Sequence, residues 1–272
     1  MVAAADGAEL FYETVGSGEP VLLIMGLGMA STGWWRTVPV LAEQFRVITF
    51  DNRGSGRSDA PKGPYTLAQL ARDAESVLDA ADEESAHVYG LSLGGMIAQE
   101  FALARPSRVR GLVLGATTPG GRKHELPDEK TLGFIERRAG MPAEEGAWAS
   151  VPYNYGPTTR AQHADRIGED IIQRLRFPPN KEGYKAQLSA AWGFDAVDRL
   201  AGLCAPTLVL HGGEDRMIPV SNGRRLAEAI PGACLRIFED AGHLYPTDAP
   251  EADREAVRFL VAWRSVHAGG QA

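Results

Sequence analysis

The stretch Val88–Met96, "VYGLSLGGM", decides the reading of this chain. It leaves a short apolar segment, sets a lone serine between two glycines and runs straight into a helix-like sequence. If 86–90 is a strand and 93–104 a helix, Ser92 sits on the sharp turn between them, at the C-terminal edge of a sheet, where open α/β sheets hold their ligands. Such a turn forces the serine to a positive φ, and side chains two residues away on either side are expected to collide with it. Gly90 and Gly94 remove them. A bare G-x-S-x-G also fits an ordinary tight turn; here the strand before it and the helix after it match a turn that exists to hold the serine.

Outward from that turn, short β-rich runs alternate with longer helical patterns. The strand-like runs are 20–25 "PVLLIM", 46–51 "RVITFD", 86–91 "AHVYGL", 109–116 "VRGLVLGA", 206–212 "PTLVLHG" and 234–240 "CLRIFED". They are continuously apolar rather than alternating, as expected of parallel strands covered on both faces. "LFYETVG" at 10–16 does alternate and reads as an antiparallel edge strand. Helical patterns fill 34–44, 66–81, 93–104, 220–230 and 251–264. The fold class is α/β, with a doubly wound, mostly parallel sheet.

The alternation breaks once. Between Gly115 and Pro206 lie about ninety residues without a strand-like run, far beyond an ordinary connection. Segments such as "TRAQHADRIGEDIIQRLRF" look like amphipathic helices. The expectation is a helical cap over 122–200, inserted between core segments 1–121 and 201–272, with a frayed tail after Ser265.

Composition excludes several classes. A net charge of −7 and a pI near 5.5 argue against a nucleic-acid surface, which needs clustered Lys and Arg. The N-terminus has no signal-peptide pattern and no later run is long enough to cross a bilayer, so a soluble, cytoplasmic protein is expected. Cys204 and Cys234 have neither metal-ligand nor disulfide spacing and read as small buried hydrophobes. No metal or other cofactor is expected, because no His/Cys/carboxylate cluster has ligand spacing and no glycine loop opens a nucleotide site. The sequence specifies no oligomeric state.

A serine hydroxyl needs a base, and the base an orienting acid. His243, in "EDAGHLYP", follows the last strand-like run, and Asp215, in "LHGGEDRMIP", follows the one before. Both therefore fall at the sheet edge that carries Ser92. His87, His124, His163 and His267 lie elsewhere. Glu214 is the competing carboxylate.

With these pieces in order, "GLSLGG", "HGGEDRMIP", "AGH" and "FDNRGSGRSD" (50–59), nearly the whole chain resembles the α/β-hydrolase fold family, in its serine esterase and lactonase branch. The resemblance implies Ser92 as nucleophile, His243 as general base and acid, and Asp215 as orienting acid. It also implies an oxyanion hole from the backbone N–H of Leu93 and of Leu27, the latter in "MGLGMASTGWW". Family members often carry His-Gly at the start of that loop; this chain has Met25-Gly26. Gly26, Trp148 and Trp192 are candidate substrate contacts. The cap aromatics either cover an apolar group of the substrate or hold the cap helices together, and Trp34 and Trp35 more often pack a core. Asp51, Arg53, Ser55 and Ser58 read as a loop held by side-chain hydrogen bonds rather than as a catalytic cluster.

The implied activity is hydrolysis of a small-molecule carboxylic ester or lactone through an acyl-enzyme. Carbon–carbon bond hydrolysis, cofactor-free perhydrolysis and acyl transfer are alternatives on the same residues, and a small-molecule receptor is the non-enzymatic one. A serine at 92 counts against haloalkane dehalogenases and epoxide hydrolases, which use an aspartate. Cap charges nearly balance and give no argument for a strongly charged substrate.

Overall fold

The computed structural model describes residues 1–122 and 124–263; the tail expected after Ser265, with His267, lies outside the described residues. Two short strands, β1 (Val2–Ala3) and β2 (Glu9–Leu10), form an antiparallel ribbon. The main sheet takes β3 (Tyr12–Val15), β4 (Pro20–Ile24), β5 (Arg46–Phe50), β6 (Ala86–Leu91), β7 (Val109–Gly115), β8 (Thr207–Gly212) and β9 (Cys234–Phe238). Their order across the sheet is β3-β5-β4-β6-β7-β8-β9. β3 is the antiparallel edge and every other pairing is parallel.

The continuous apolar runs are explained by two cores, one per face. Along β4, Leu22 and Ile24 face one cluster while Val21 and Leu23 face the other, the period of two that a strand imposes. The first layer lies under α2 (Leu67–Ala80) and α3 (Leu93–Ala104), through Leu70, Ala74, Ile97 and Phe101. The second lies under α1 (Thr37–Ala42) and α12 (Glu251–Ala262), through Leu41, Ala256 and Leu260. Trp34 is buried there against Tyr89, ring centroids 4.9 Å apart; it packs the core. The helix expected over 34–44 is instead a 3-10 turn, Ser31–Trp34, followed by α1. The two cysteines are a correction: Cys204 and Cys234 are both exposed, because Cys204 lies in the loop before β8 and Cys234 begins the outermost strand.

Between β7 and β8 come α4 (Glu129–Arg138), α5 (Ala143–Ala149), α6 (Val151–Asn154), α7 (Pro157–Gln162), α8 (Ala164–Leu175) and α9 (Lys181–Trp192). A backbone bridge between Gly120 and Asp195 draws the two ends of this insertion together, backed by Gly121 N–H to Phe194 O and Ala196 N–H to Pro119 O. After β8 follow α10 (Ser221–Ala229) and, past β9, α11 (Tyr245–Asp248).

The loop after β5 is held as its sequence suggested. Asp51 accepts from the Ser31 N–H at 2.6 Å and from the Arg57 N–H and Nε at 2.8 Å each. Arg53 forks onto Asp73 at 2.5 and 2.6 Å, with both side chains almost fully buried, and reaches Asp6 at its outer side. Removing one member of a buried pair strands the other charge. Asp73→Ala should therefore lower the unfolding free energy by about 3–5 kcal/mol in urea titrations at neutral pH; a loss under about 1 kcal/mol would show that Arg53 is satisfied without it.

Candidate active site

β6 ends at the centre of the sheet, and Ser92 follows it with φ 59° and ψ −120°. The positive φ is fixed from both ends: the Ser92 N–H donates to Gly115 O at 2.8 Å, and its carbonyl accepts from Thr117 Oγ1 at 2.7 Å. The two flanking glycines are required, but not to spare the serine. A Cβ on Gly90 would overlap the Gly94 carbonyl, and one on Gly94 would overlap the Ile24 carbonyl at the end of β4. The turn is packed backbone on backbone, which only glycine permits. Gly26 acts on the serine itself, since its Cβ would stand 3.2 Å from Ser92 Cβ.

His243 Nδ1 and Asp215 Oδ2 are 2.8 Å apart. Asp215 also accepts from the N–H groups of Met217 and Ile218 at 2.9 Å each, through Oδ1. His211 Nε2 lies 3.3 Å from its Oδ2 and 2.9 Å from Ile218 O. Burial alone would raise this carboxyl, but the imidazoles of His243 and His211 outweigh burial and hold it at about 2, below its ordinary 3.8. Glu214 is exposed. The loop carrying His243 is clamped from two sides: Leu244 N–H donates to Asn154 O of α6, and Asp248 Oδ2 accepts from Gly242 and Gly156.

Ser92 and His243 line one cavity of about 110 Å³, together with Gly26, Leu27 and Leu93. Its other walls are largely apolar, among them Met96, Ile135, Leu188 and Ile218. Among the described residues no hydrogen bond of the fold uses the Leu27 or Leu93 N–H; Leu93 is the first residue of α3, where helical N–H groups have no intrahelical acceptor. Trp192, at the end of α9, lines the cavity and is 46% exposed, so it stands at the rim. Trp148 is a correction: it is 51% exposed and absent from the cavity wall, because α5 buries Gly146 and Ala147 and turns the neighbouring indole outward. Of the other cap aromatics, Tyr153 stacks on Phe134, Tyr155 is tied to Asp170, Phe177 lies under Arg57 and Phe194 joins the core.

One residue was invisible in the sequence. Gln187 of α9, fully buried, accepts from the Gly28 N–H at 2.8 Å and donates to Arg53 O and Ser55 Oγ at 2.7 and 2.9 Å. Asn52 adds a bond to Met25 O at 2.9 Å. The loop holding Leu27 is thus propped on both sides.

Comparison with known proteins agrees with this architecture. Residues 19–250 match the family model described as the alpha/beta hydrolase fold. A protein of Azorhizobium caulinodans assigned by name as the carbamate hydrolase RutD is 32% identical, over 91% of this chain and 93% of its own. A poly(3-hydroxyalkanoate) depolymerase of Ectopseudomonas oleovorans is 34% identical over 86% and 81%. The crystal structure of the enol-lactonase from Burkholderia xenovorans LB400 superposes with a TM-score of 0.85 at 28% identity, over 96% of this chain and all of that one. The chain belongs to the α/β hydrolase family. It is an enzyme, a hydrolase. Among the described residues no helix is long and apolar enough to cross a membrane.

The depressed Asp215 carboxyl carries a stability signature. A group whose folded pKa lies below its unfolded one stabilises fully above the unfolded value and loses that contribution as pH falls through the folded value. The stability gap between wild type and Asp215→Asn should therefore shrink by about 2 kcal/mol between pH 6 and pH 2, read by urea unfolding at each pH. A constant gap would mean that the carboxyl is unperturbed.

Proposed function

We propose that the protein hydrolyses a small-molecule carboxylic ester or lactone, without a cofactor, through an acyl-enzyme on Ser92. The observation that carries this reading is the 2.8 Å bond from His243 to a deeply buried Asp215, with His243 and the strained Ser92 lining a single cavity. Asp215, accepting at Nδ1, fixes the tautomer that leaves Nε2 of His243 free to take a proton.

Ser92 Oγ attacks the carbonyl carbon and its proton passes to His243 Nε2. The carbonyl oxygen becomes an oxyanion, received by the N–H groups of Leu27 and Leu93, donors worth roughly 3–4 kcal/mol of barrier each. The intermediate collapses, the ester C–O bond breaks, and the leaving oxygen takes the proton from His243. Water then repeats the cycle on the acyl-enzyme: His243 removes its proton, the acid is released and the hydroxyl of Ser92 is restored. With a lactone the leaving hydroxyl stays tethered and the product is a hydroxy acid. We assign the insertion between β7 and β8 as the cap over this site, with Trp192 at its rim and Gly26 beside the nucleophile as the substrate contacts. Similar proteins of solved structure that are named as an esterase and as an enol-lactonase support the same class of substrate.

A panel of p-nitrophenyl esters and simple lactones tests the reading. Ser92→Ala should lose about 10⁶ in turnover and escape labelling by a fluorophosphonate that modifies wild type. Asp215→Asn should lose on the order of 10⁴, and Glu214→Gln far less. A receptor instead of an enzyme would label slowly at Ser92 and turn over no ester or lactone in the panel.

Because Gln187 props the Leu27 loop from α9, Gln187→Leu should lower kcat about ten- to a hundredfold, part of the cost of losing an oxyanion donor outright, with KM nearly unchanged. An unchanged kcat in a variant that melts normally would show that the loop holds its shape without Gln187.

A further inference from the structure

Two arginines of the insertion stand where the reaction does not use them. Arg138, the last residue of α4, lines the cavity of Ser92 and also a second cavity of about 70 Å³ beside it. Met29, two residues past Leu27, is the other residue common to both walls. The second cavity runs under the loop Gly28–Ala30 and is lined as well by Arg174 of α8 and Lys181 of α9, with no Asp or Glu.

Neither arginine has a carboxylate within ion-pair distance among the described residues. Arg174, nearly fully buried, donates to Ser150 Oγ at 3.1 Å. The guanidinium of Arg138 lies 5.8 Å from the centroid of the Tyr184 ring. Burial and the like charge of Arg174 push Arg138 down to about 10, still charged at neutral pH. Elsewhere the chain pairs its enclosed arginines: Arg53 has Asp73 and Asp6, and Arg57 has Asp51. Two adjacent cations, Arg174 nearly buried and Arg138 half-buried with the Tyr184 hydroxyl as its partner, are costly without a carboxylate beside them, and a guanidinium on a cavity wall matches a carboxylate, which it binds through two parallel bonds.

We propose that the preferred substrates carry a free carboxylate beside the scissile ester or lactone, bound by Arg138 with Arg174 behind it. The balanced charge of the insertion hides this, since none of its acidic groups lines the second cavity: Asp170 is committed to Trp35, Arg36, Tyr155 and Thr247, and Glu125, the one carboxylate on the wall of the Ser92 cavity, accepts from Ser221. The inference rests on the hydrolase reading for its reaction but not for its binding step.

Monomethyl esters of straight-chain dicarboxylic acids, compared with methyl esters of monocarboxylic acids of equal length and followed by acid release in a pH-stat, test it. A γ-lactone with and without a ring carboxymethyl group extends the comparison. Wild type should favour the anionic member at one or more lengths by tenfold or more in kcat/KM. Arg138→Gln should cut that ratio about 10- to 100-fold, chiefly through KM. A wild type that handles every neutral partner as well as its anionic one would overturn the proposal without any variant being needed; so would an unchanged ratio in folded Arg138→Gln. Calorimetry on Ser92→Ala separates the two readings. If that protein binds the anionic esters at least tenfold more tightly than the neutral ones while wild type cleaves neither, the hydrolase reading falls and the carboxylate site stands.

Discussion

The left-handed backbone at Ser92 is the constraint around which the rest is arranged. A non-glycine residue at φ 59° costs free energy that surrounding contacts must offset. Here they are the bonds to Gly115 and Thr117, one strand away, and the direct stacking of Gly90, Gly94 and the end of β4. The tight approach of α3 to β4 follows from it, since any side chain at 94 would push the helix off the sheet. The same turn puts Ser92 and Leu93, the first residue of α3, on the wall of the cavity.

Much of this was legible because it is local or periodic. Continuous apolar runs flanked by turns define buried parallel strands whatever their partners, and the six such runs became β4 to β9. Ser92 is singled out by its G-x-S-x-G turn between strand and helix, and Asp215 and His243 by the rule that strand C-termini share an edge; the structure brings the last two to 2.8 Å. The resemblance prefers Asp215 to Glu214; the structure adds that Asp215 bonds His243 while Glu214 faces solvent. The expectation for the glycines failed in its detail: spacing says that a turn is crowded, and only packing says by what.

What was not legible is long-range and polar. Gln187 is an ordinary helix residue in sequence, and its partner Gly28 lies 159 positions away. Arg138 sits in an ordinary basic pair with Arg137 in sequence, which shows neither the lack of a carboxylate within ion-pair distance among the described residues nor the two cavities that meet at it. Cys204 went wrong because it lies in the loop ahead of β8 rather than in the strand, and Cys234 because an apolar run does not say whether its strand is central or at the edge. Trp148 went wrong because a short helix with two small residues on its inner face can leave its largest side chain outside.

These hidden contacts also decide what kind of cap this is. Asp170 of α8 takes bonds from Trp35 and Arg36 near α1 and from Thr247 of α11, Asn154 and Gly156 brace the histidine loop, and Gln187 reaches the Leu27 loop. Lifting the insertion away as one body would break the bonds of Asp170 to Trp35, Arg36 and Thr247, the bond of Asp248 to Gly156 and all three bonds of Gln187, at roughly 1–3 kcal/mol for each buried polar group left unmet. The insertion is therefore a wall of the site rather than a lid. It holds the loop of His243 and, through Gly28, the loop of Leu27 as directly as the sheet holds Ser92. Changes in the cap that alter its packing should consequently be felt in the chemical step as well as in which substrate is chosen.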